Sequence, residues 1–217
     1  MKRTHALWTI ACLCSLAVVG GCGERAPGPV TMDDAEQEAW EIRLVEMRID
    51  KNERFTDPEQ TPLMEQDLPG FEGLNYYYPV PELRFRVPFV ETAAADTVTL
   101  VKRQGESVRY LRKGHVAFKH EGSVYKLQAF GPVGAAPDGD YLWLPFYDET
   151  SGEETFGGGR YLDLEVDDEG IAELDFNFAY NPLCDYNHER YNCTLPPEEN
   201  RLEIPVRAGE KLFRLEE

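Results

Sequence analysis

The chain has 217 residues, with 40 acidic side chains against 22 basic ones and a formal charge of −18. Its length suits one domain with a sizeable core. So acidic a surface repels nucleic acid and anionic lipid headgroups, which removes both from the expected partners, and it keeps the chain soluble.

Lys2 and Arg3 precede the apolar stretch "ALWTIACLCSLAVVG", which ends in the small residues Gly20 and Gly21 before Cys22. This is the layout of a secretory signal, and the stretch is short for a bilayer crossing. Its ending resembles the lipobox of bacterial lipoproteins, in which the cysteine becomes the lipidated first residue. The expected organisation is therefore a signal peptide over 1–21, an acylated Cys22 with a Gly- and Pro-rich flexible tether over 22–32, and a single mainly β domain over 33–217. Two or three acyl chains would anchor the protein stably, where one would be marginal. The expected location is the bacterial cell envelope, on the outer membrane facing the periplasm. Loss of Lys2 and Arg3 takes the formal charge from −18 to −20. Cys12 and Cys14 leave with the signal and Cys22 is consumed by lipid, so Cys184 and Cys193 remain together in an oxidising compartment.

The spacing predicts a helix over about residues 33–54, with Thr31 able to cap it and Asp33, Asp34 and Glu36 at its positive end. At about 100° per residue, Trp40, Leu44, Met47 and Phe55 form one apolar stripe and Ile42, Val45 and Ile49 another, nearly opposite. The prolines and glycines of "TDPEQTPLMEQDLPGFEGLNYYYPVPELRF" read as a long ordered connection whose Phe71, Tyr76, Tyr77 and Tyr78 cover one end of the core. From Leu83 the pattern changes to period two, and the further strand candidates are "TVTLVKR", "SVRYLRKG", "HVAFKHE", "SVYKLQAF", "YLWLPFYD", "RYLDLEV", "AELDFNFAY" and "RLEIPVRA". No helix of βαβ length separates them. The predicted fold is mainly β: an antiparallel curled sheet, a β sandwich or a partly open barrel, with an N-terminal helix.

Gly157, Gly158 and Gly159 lack the Lys and the Ser or Thr of a phosphate loop, so they are read as a place where the chain reverses or approaches another backbone. Asp148, Glu149, Glu153 and Glu154 match no cation loop and read as a solvated hairpin tip, with Ser151 in a polar turn. Alternation puts Arg160, Leu162 and Leu164 on one strand face and Tyr161, Asp163 and Glu165 on the other. It likewise separates Leu174, Phe176 and Phe178 from Asp175, Asn177 and Ala179. With "DDEG" as the turn, Asp163 and Asp175 could share a face, either as paired acid and base or as hydrogen-bond acceptors. His115 and His120 fall on different strand faces. Cys184, His188 and Cys193, with Asp185, offer zinc-compatible ligands, but "C-x8-C" lacks a tight zinc knuckle and export favours a disulfide. No metal and no cofactor is expected. Asn192-Cys193-Thr194 fits a glycan acceptor, to which a bacterial product gives little weight.

"GLNYYYPV", "LPFYDETSGEETFGGGRYLD" and "LDFNFAYNPLCDYNHERYNCTLPPEENRLEIPVRAGE" resemble the signature segments of the bacterial and archaeal family catalogued as domain of unknown function 1684. The resemblance runs from about Trp40 to about Glu210. It implies that Tyr77, Pro79, Phe146, Asp148, Thr150, Gly158, Gly159, Arg160, Tyr161 and Asp163 occupy signature positions. The same holds for Asp175, Asn177, Tyr180, Asn181, Pro182, Cys184, Tyr186, Cys193, Pro196, Pro197 and Asn200. The chain departs at Val80 and Pro81, where members usually carry an aspartate before the proline. No activity comes with the resemblance, but it adds weight to the region around Arg160 and Asn181. The candidate ligand-binding residues are Arg160, Tyr161, Asp163, Asp175, Asn177, Tyr180, Asn181 and Tyr186, with Arg160 as the main directional contact. The expected role is a binding or structural module for a small-molecule or envelope-protein partner. The alternative is a hydrolase-like enzyme in which Arg160, Asp163, Asp175 and His188 converge.

Overall fold

The computed structural model describes residues 26–134 and 141–213, so the signal, Cys22 and the first part of the tether lie outside the described residues. α1 spans Asp34–Thr56 and is followed by β1 (Arg84–Val101), β2 (Ser107–His120), β3 (Ser123–Pro132), β4 (Leu142–Phe146), β5 (Arg160–Leu164) and β6 (Ile171–Asp175). A four-residue helix, α2, covers Leu183–Tyr186. The strands form one antiparallel sheet in the order β5-β4-β3-β2-β1-β6. The sheet curls into a half-barrel whose edge strands meet at one end, through the Val166–Ala172 bridge.

Asp33, not Thr31, caps α1. Its carboxylate accepts from the Ala35 and Glu36 amides while Glu36 reaches back to the Asp33 amide, a reciprocal box set by their three-residue spacing. Trp40, Leu44 and Phe55 are buried, whereas Ile42, Val45 and Ile49 are each about half exposed. The connection after α1 covers a satellite cluster in which Phe71, Leu68 and Leu74 pack on Phe55, Leu63 and Tyr186. Tyr78 departs from the expected cover: it is 92% exposed.

β1 and β2 are each longer than the short runs predicted, because bulges absorb the breaks between them. The β1–β2 register shifts between Glu91 and Asp96, and the β2–β3 register shifts between Arg112 and Gly114. Gly114 sits where a Cβ would lie 2.4 Å from the Val90 carbonyl oxygen, so only glycine lets the strands approach. One predicted strand is cut short and another does not form. Residues 176–178 turn in a 3-10 helix directly after β6, so Asp175, Phe176 and Asn177 are all buried instead of alternating. "RLEIPVRA" pairs with no strand along its length, although Leu202, Ile204, Val206 and Ala208 still bury their side chains in the core. The segment read as a tether is also partly docked. Lys119 N–H donates to the Pro27 carbonyl and Val30 N–H to the Arg84 carbonyl, so residues 27–30 lie between β1 and β2.

The concave face holds the main core, which includes Phe85, Val116, Phe118, Leu144, Leu162 and Phe176. The opposite face carries a smaller cluster of Leu100, Phe130 and Trp143, with Tyr110 and Tyr161 packed against it. β4 lies between the two, and all five of its residues are buried. β3 and β4 pair only at Phe130 and Trp143, and Pro145 has no N–H to extend the ladder. Asn200 substitutes for the missing bonds: it donates to the Pro145 and Gln128 carbonyls and accepts from the Gln128 amide.

Candidate active and binding site

Two polar constructions grow from the alternation of β5. On the inner face the Arg160 side chain is wholly buried. Its guanidinium donates to the carbonyls of Val206 (2.7 Å), Ala208 and Glu210 (3.1 Å) and pairs with Asp148 at 3.3 Å. By sequence, Arg160 is the expected main directional contact for a ligand. It instead turns inward, because the carbonyls of Val206, Ala208 and Glu210 need donors and a planar fork supplies several at once. Asp148 is interior too, and accepts from Thr150, Ser151 and the Val206 amide. The predicted tip is solvated at Glu149 and Glu153, but its base is organised around the buried Asp148, Thr150 and Thr155, while Glu154 pairs with Arg207 at its surface. Gly159 closes this knot. Its φ is +80°, and a Cβ there would lie 2.7 Å from the Phe146 carbonyl oxygen, which is the backbone approach read from the glycine run.

On the outer face Tyr161 and Asp163 border an open cleft of about 890 Å³. α1 contributes Met47, Lys51, Arg54 and Phe55, the sheet contributes Tyr110, Trp143, Tyr161 and Asp163, and the rest of the lining includes Tyr141, Glu210 and segments 178–183 and 191–194. The tyrosine hydroxyls are held by the protein itself. Tyr141 and Tyr180 both donate to Asp163 Oδ1, at 2.9 and 2.8 Å; Tyr161 donates to the Thr194 carbonyl, and Tyr110 meets the Thr194 hydroxyl at 3.3 Å. Burial, then the Asp163 charge, pushes Tyr141 up to about 12 and Tyr180 higher still, so both phenols are neutral donors at physiological pH. With their hydroxyls fixed, these residues offer ring surface to the cleft. Trp143 meets Tyr161 edge-on at 83° and Tyr161 meets Tyr180 at 87°, so successive rings stand at right angles.

At the α1 end, Lys51 donates to Glu210 Oε1 and sits 5.4–5.6 Å from the ring centroids of Phe55, Tyr180 and Tyr186. Glu210 also accepts from the Tyr76 and Tyr186 hydroxyls and from the Asn181 amide. Asn181 Nδ2 donates to Asp185 and to the Lys211 carbonyl. Burial, reinforced by the Glu210 charge, raises Asp185 to about 7. The Cys184–Cys193 disulfide is formed, and Cys193 borders the cleft.

Of the eight predicted ligand residues, Tyr161, Asp163, Tyr180 and Asn181 line this cleft. Arg160 does not. Asn177 is also interior, its amide pairing with both backbone groups of Val80, and Tyr186 supports Glu210 from below. Asp175 accepts from Trp40 and Asn177, and burial raises its pKa. It borders, with Asp163, a smaller groove of about 430 Å³, but Asp175 is buried and committed to Trp40 and Asn177 while Asp163 is exposed and committed to Tyr141 and Tyr180. His188 is exposed in the turn after α2 and lines neither cavity. Among the described residues no group of three His, Cys, Asp or Glu side chains is placed to hold a metal. Sequence reasoning missed Lys51, Tyr110, Tyr141, Trp143 and Glu210. Lys51 did carry a signal: it interrupts the apolar stripe between Met47 and Phe55 at helical spacing.

Residues 69–211 match the family described as a protein of unknown function, DUF1684. The chain belongs to this family. An uncharacterised protein of the archaeon Haloarcula marismortui, whose structure was solved by solution NMR, is similar at 33% identity and a TM-score of 0.64. The match covers 82% of this chain and 97% of that one. A comparison with curated proteins returns no match. Several residues within the matched segment do structural work in this chain. Asp148, Gly159 and Arg160 tie the inner knot, and Asn177 and Asn200 complete backbone pairing.

Proposed function

We propose that this member of the family is a lipid-anchored envelope protein that holds a small molecule in the tyrosine-walled cleft, on the outer membrane facing the periplasm. The observation that carries the binding role is the cleft itself: about 890 Å³, with Tyr110, Tyr141, Tyr161 and Tyr180 pinned through their hydroxyls so that the rings are rigid before a ligand arrives. Rigid aromatic side chains give contact area at low ordering cost. The anchor rests on the run from Lys2 to Cys22. Because Pro27 is already bonded to β2, the five residue steps from Cys22 would hold the domain within at most roughly 18 Å of the bilayer.

The hydrolase reading has less support. Arg160 is sealed inside, Asp175 is committed to Trp40 and Asn177, and His188 stands apart. The test of binding is native mass spectrometry of protein purified from its own membrane. A bound small molecule is expected, with occupancy at least tenfold lower in Tyr180→Ala. Bare protein from both would overturn the binding role. Intact mass of the same sample should show loss of residues 1–21 and a diacylglyceryl addition, and an unprocessed chain would overturn the anchor.

A further inference from the structure

Tyr180 stands between two carboxylates that are built alike. On the α1 side, Glu210 accepts from two phenols, Tyr76 and Tyr186, and from the Lys51 ammonium, which is boxed by Phe55, Tyr180 and Tyr186. On the β5 side, Asp163 likewise accepts from two phenols, Tyr141 and Tyr180, beside the rings of Tyr161 and Trp143. The difference is the cation. No Lys or Arg among the described residues forms an ion pair with Asp163. Both phenols donate to Oδ1, and none of the described hydrogen bonds uses Oδ2.

We infer that the Asp163 end of the cleft is a subsite for an organic cation, an alkylammonium group seated among Tyr141, Tyr161, Tyr180 and Trp143 with Asp163 as its counter-charge. The inference rests on the binding role proposed above and names the chemistry of that ligand. Three features carry it. The rings of Tyr141, Tyr161 and Tyr180 line the cleft around Asp163 above a buried Trp143, and the edge-to-face packing of Trp143 on Tyr161 and of Tyr161 on Tyr180 holds this aromatic wall in place beside the carboxylate. The phenols are spent on Asp163 and Thr194, so they present π faces more than donors, and a π face attracts positive charge. The chain as a whole is strongly acidic, which draws cations toward it and raises their local concentration. The cleft's own basic groups are otherwise engaged: Lys51 with Glu210, Lys102 with Glu106 at 3.4 Å, and Arg54 with the Asp50 carbonyl. Lys51 shows within the same fold that this combination of rings, phenols and carboxylate accommodates an ammonium.

The probes are choline and 3,3-dimethyl-1-butanol, which share a shape and differ in charge. Binding to the full lipidated protein in neutral detergent is followed through Trp143 fluorescence, with Trp40→Phe used to remove the other indole. Choline is expected to bind at least tenfold more tightly than the neutral alcohol, and more weakly as salt is raised. Asp163→Asn, which keeps the hydrogen-bonding shape, is expected to lower choline affinity at least tenfold and leave the alcohol unchanged. The comparison of the two probes on the unaltered protein is decisive even if a variant is compromised. Equal binding of both would overturn the cation assignment while leaving the binding role intact. Binding of neither would also overturn it, and retention of a native small molecule would then decide the binding role separately.

Discussion

The two faces of β5 place polar side chains in opposite circumstances. Arg160 on the inner face is wholly buried, with carbonyls of three residues and one carboxylate taking the N–H groups of Nη1 and Nη2, and only Nε left without a hydrogen-bond partner; Asp163, three residues on and facing outward, is exposed and held by two phenols. A charge enclosed without water must have fixed partners, because leaving it unpaired costs several kcal/mol. Those partners also remove it from any ligand. A charge on an open wall needs no such enclosure and keeps capacity for an incoming group. Both residues lie within the segment that matches the family, so membership alone does not separate closure of the fold from recognition.

Breaking the inner face should have the largest effect. Arg160→Ala leaves Asp148 buried without its cation and removes the donor from the carbonyls of Val206, Ala208 and Glu210. Stability is expected to fall by about 3–5 kcal/mol in chemical denaturation. A loss below about 1 kcal/mol would mean that the knot does not hold the fold.

Next comes the disulfide that restrains the 184–193 segment beside the outer face. Replacing Cys184 and Cys193 together with Ser is expected to lower stability by about 2–3 kcal/mol, and nonreducing peptide mapping of the parent should recover the two cysteines in one linked product. Unchanged stability would show that the cleft wall is held by Thr194 and its tyrosines instead.

A smaller effect, read as a slope with pH, belongs to Asp185. Its pKa in the fold is raised to about 7, above the unfolded value of about 3.9. The folded state therefore binds the extra proton between those values. The contribution of Asp185 to stability is full below about pH 4 and is lost as pH rises through about 7. Asp185→Asn should flatten the stability profile in that window relative to the parent. Parallel profiles would contradict the burial of this carboxylate.

The smallest change is expected on the outer face. Asp163→Ala should alter stability by no more than about 0.5 kcal/mol, since water can replace the carboxylate at Tyr141 and Tyr180. A loss comparable with that of Arg160→Ala would erase the distinction between the two faces.

Much of the fold was legible. The stripe of Trp40, Leu44 and Phe55 marked the buried face of α1, and the alternation of Phe85 and Val87 marked β1. Alternation in β5 also placed Arg160 with Leu162 and Leu164, apart from Tyr161 and Asp163. The site was half legible: Tyr161, Asp163, Tyr180 and Asn181 line the cleft, yet Trp143 and Tyr141 looked like ordinary strand residues. Glu210 lay in a terminal stretch with no pattern.

Local repeats and covalent chemistry belong to the sequence itself: the helical stripe of α1, the period-two strands, the glycines where backbones meet, and two cysteines left to pair. Those signals act over a few residues, or through the compartment, and need no knowledge of distant chain. The tertiary structure alone decided which way the Arg160 head turned, because its carbonyl acceptors lie 46–50 residues further on, outside the six strands. It also alone joined Lys51 of α1 to Glu210, 159 residues away, and set Tyr141, Asp163 and Tyr180 into one hydrogen-bonded wall. Hydrogen bonds and ring contacts between distant segments depend on where the backbone carries each group, and neither periodicity nor propensity encodes that placement.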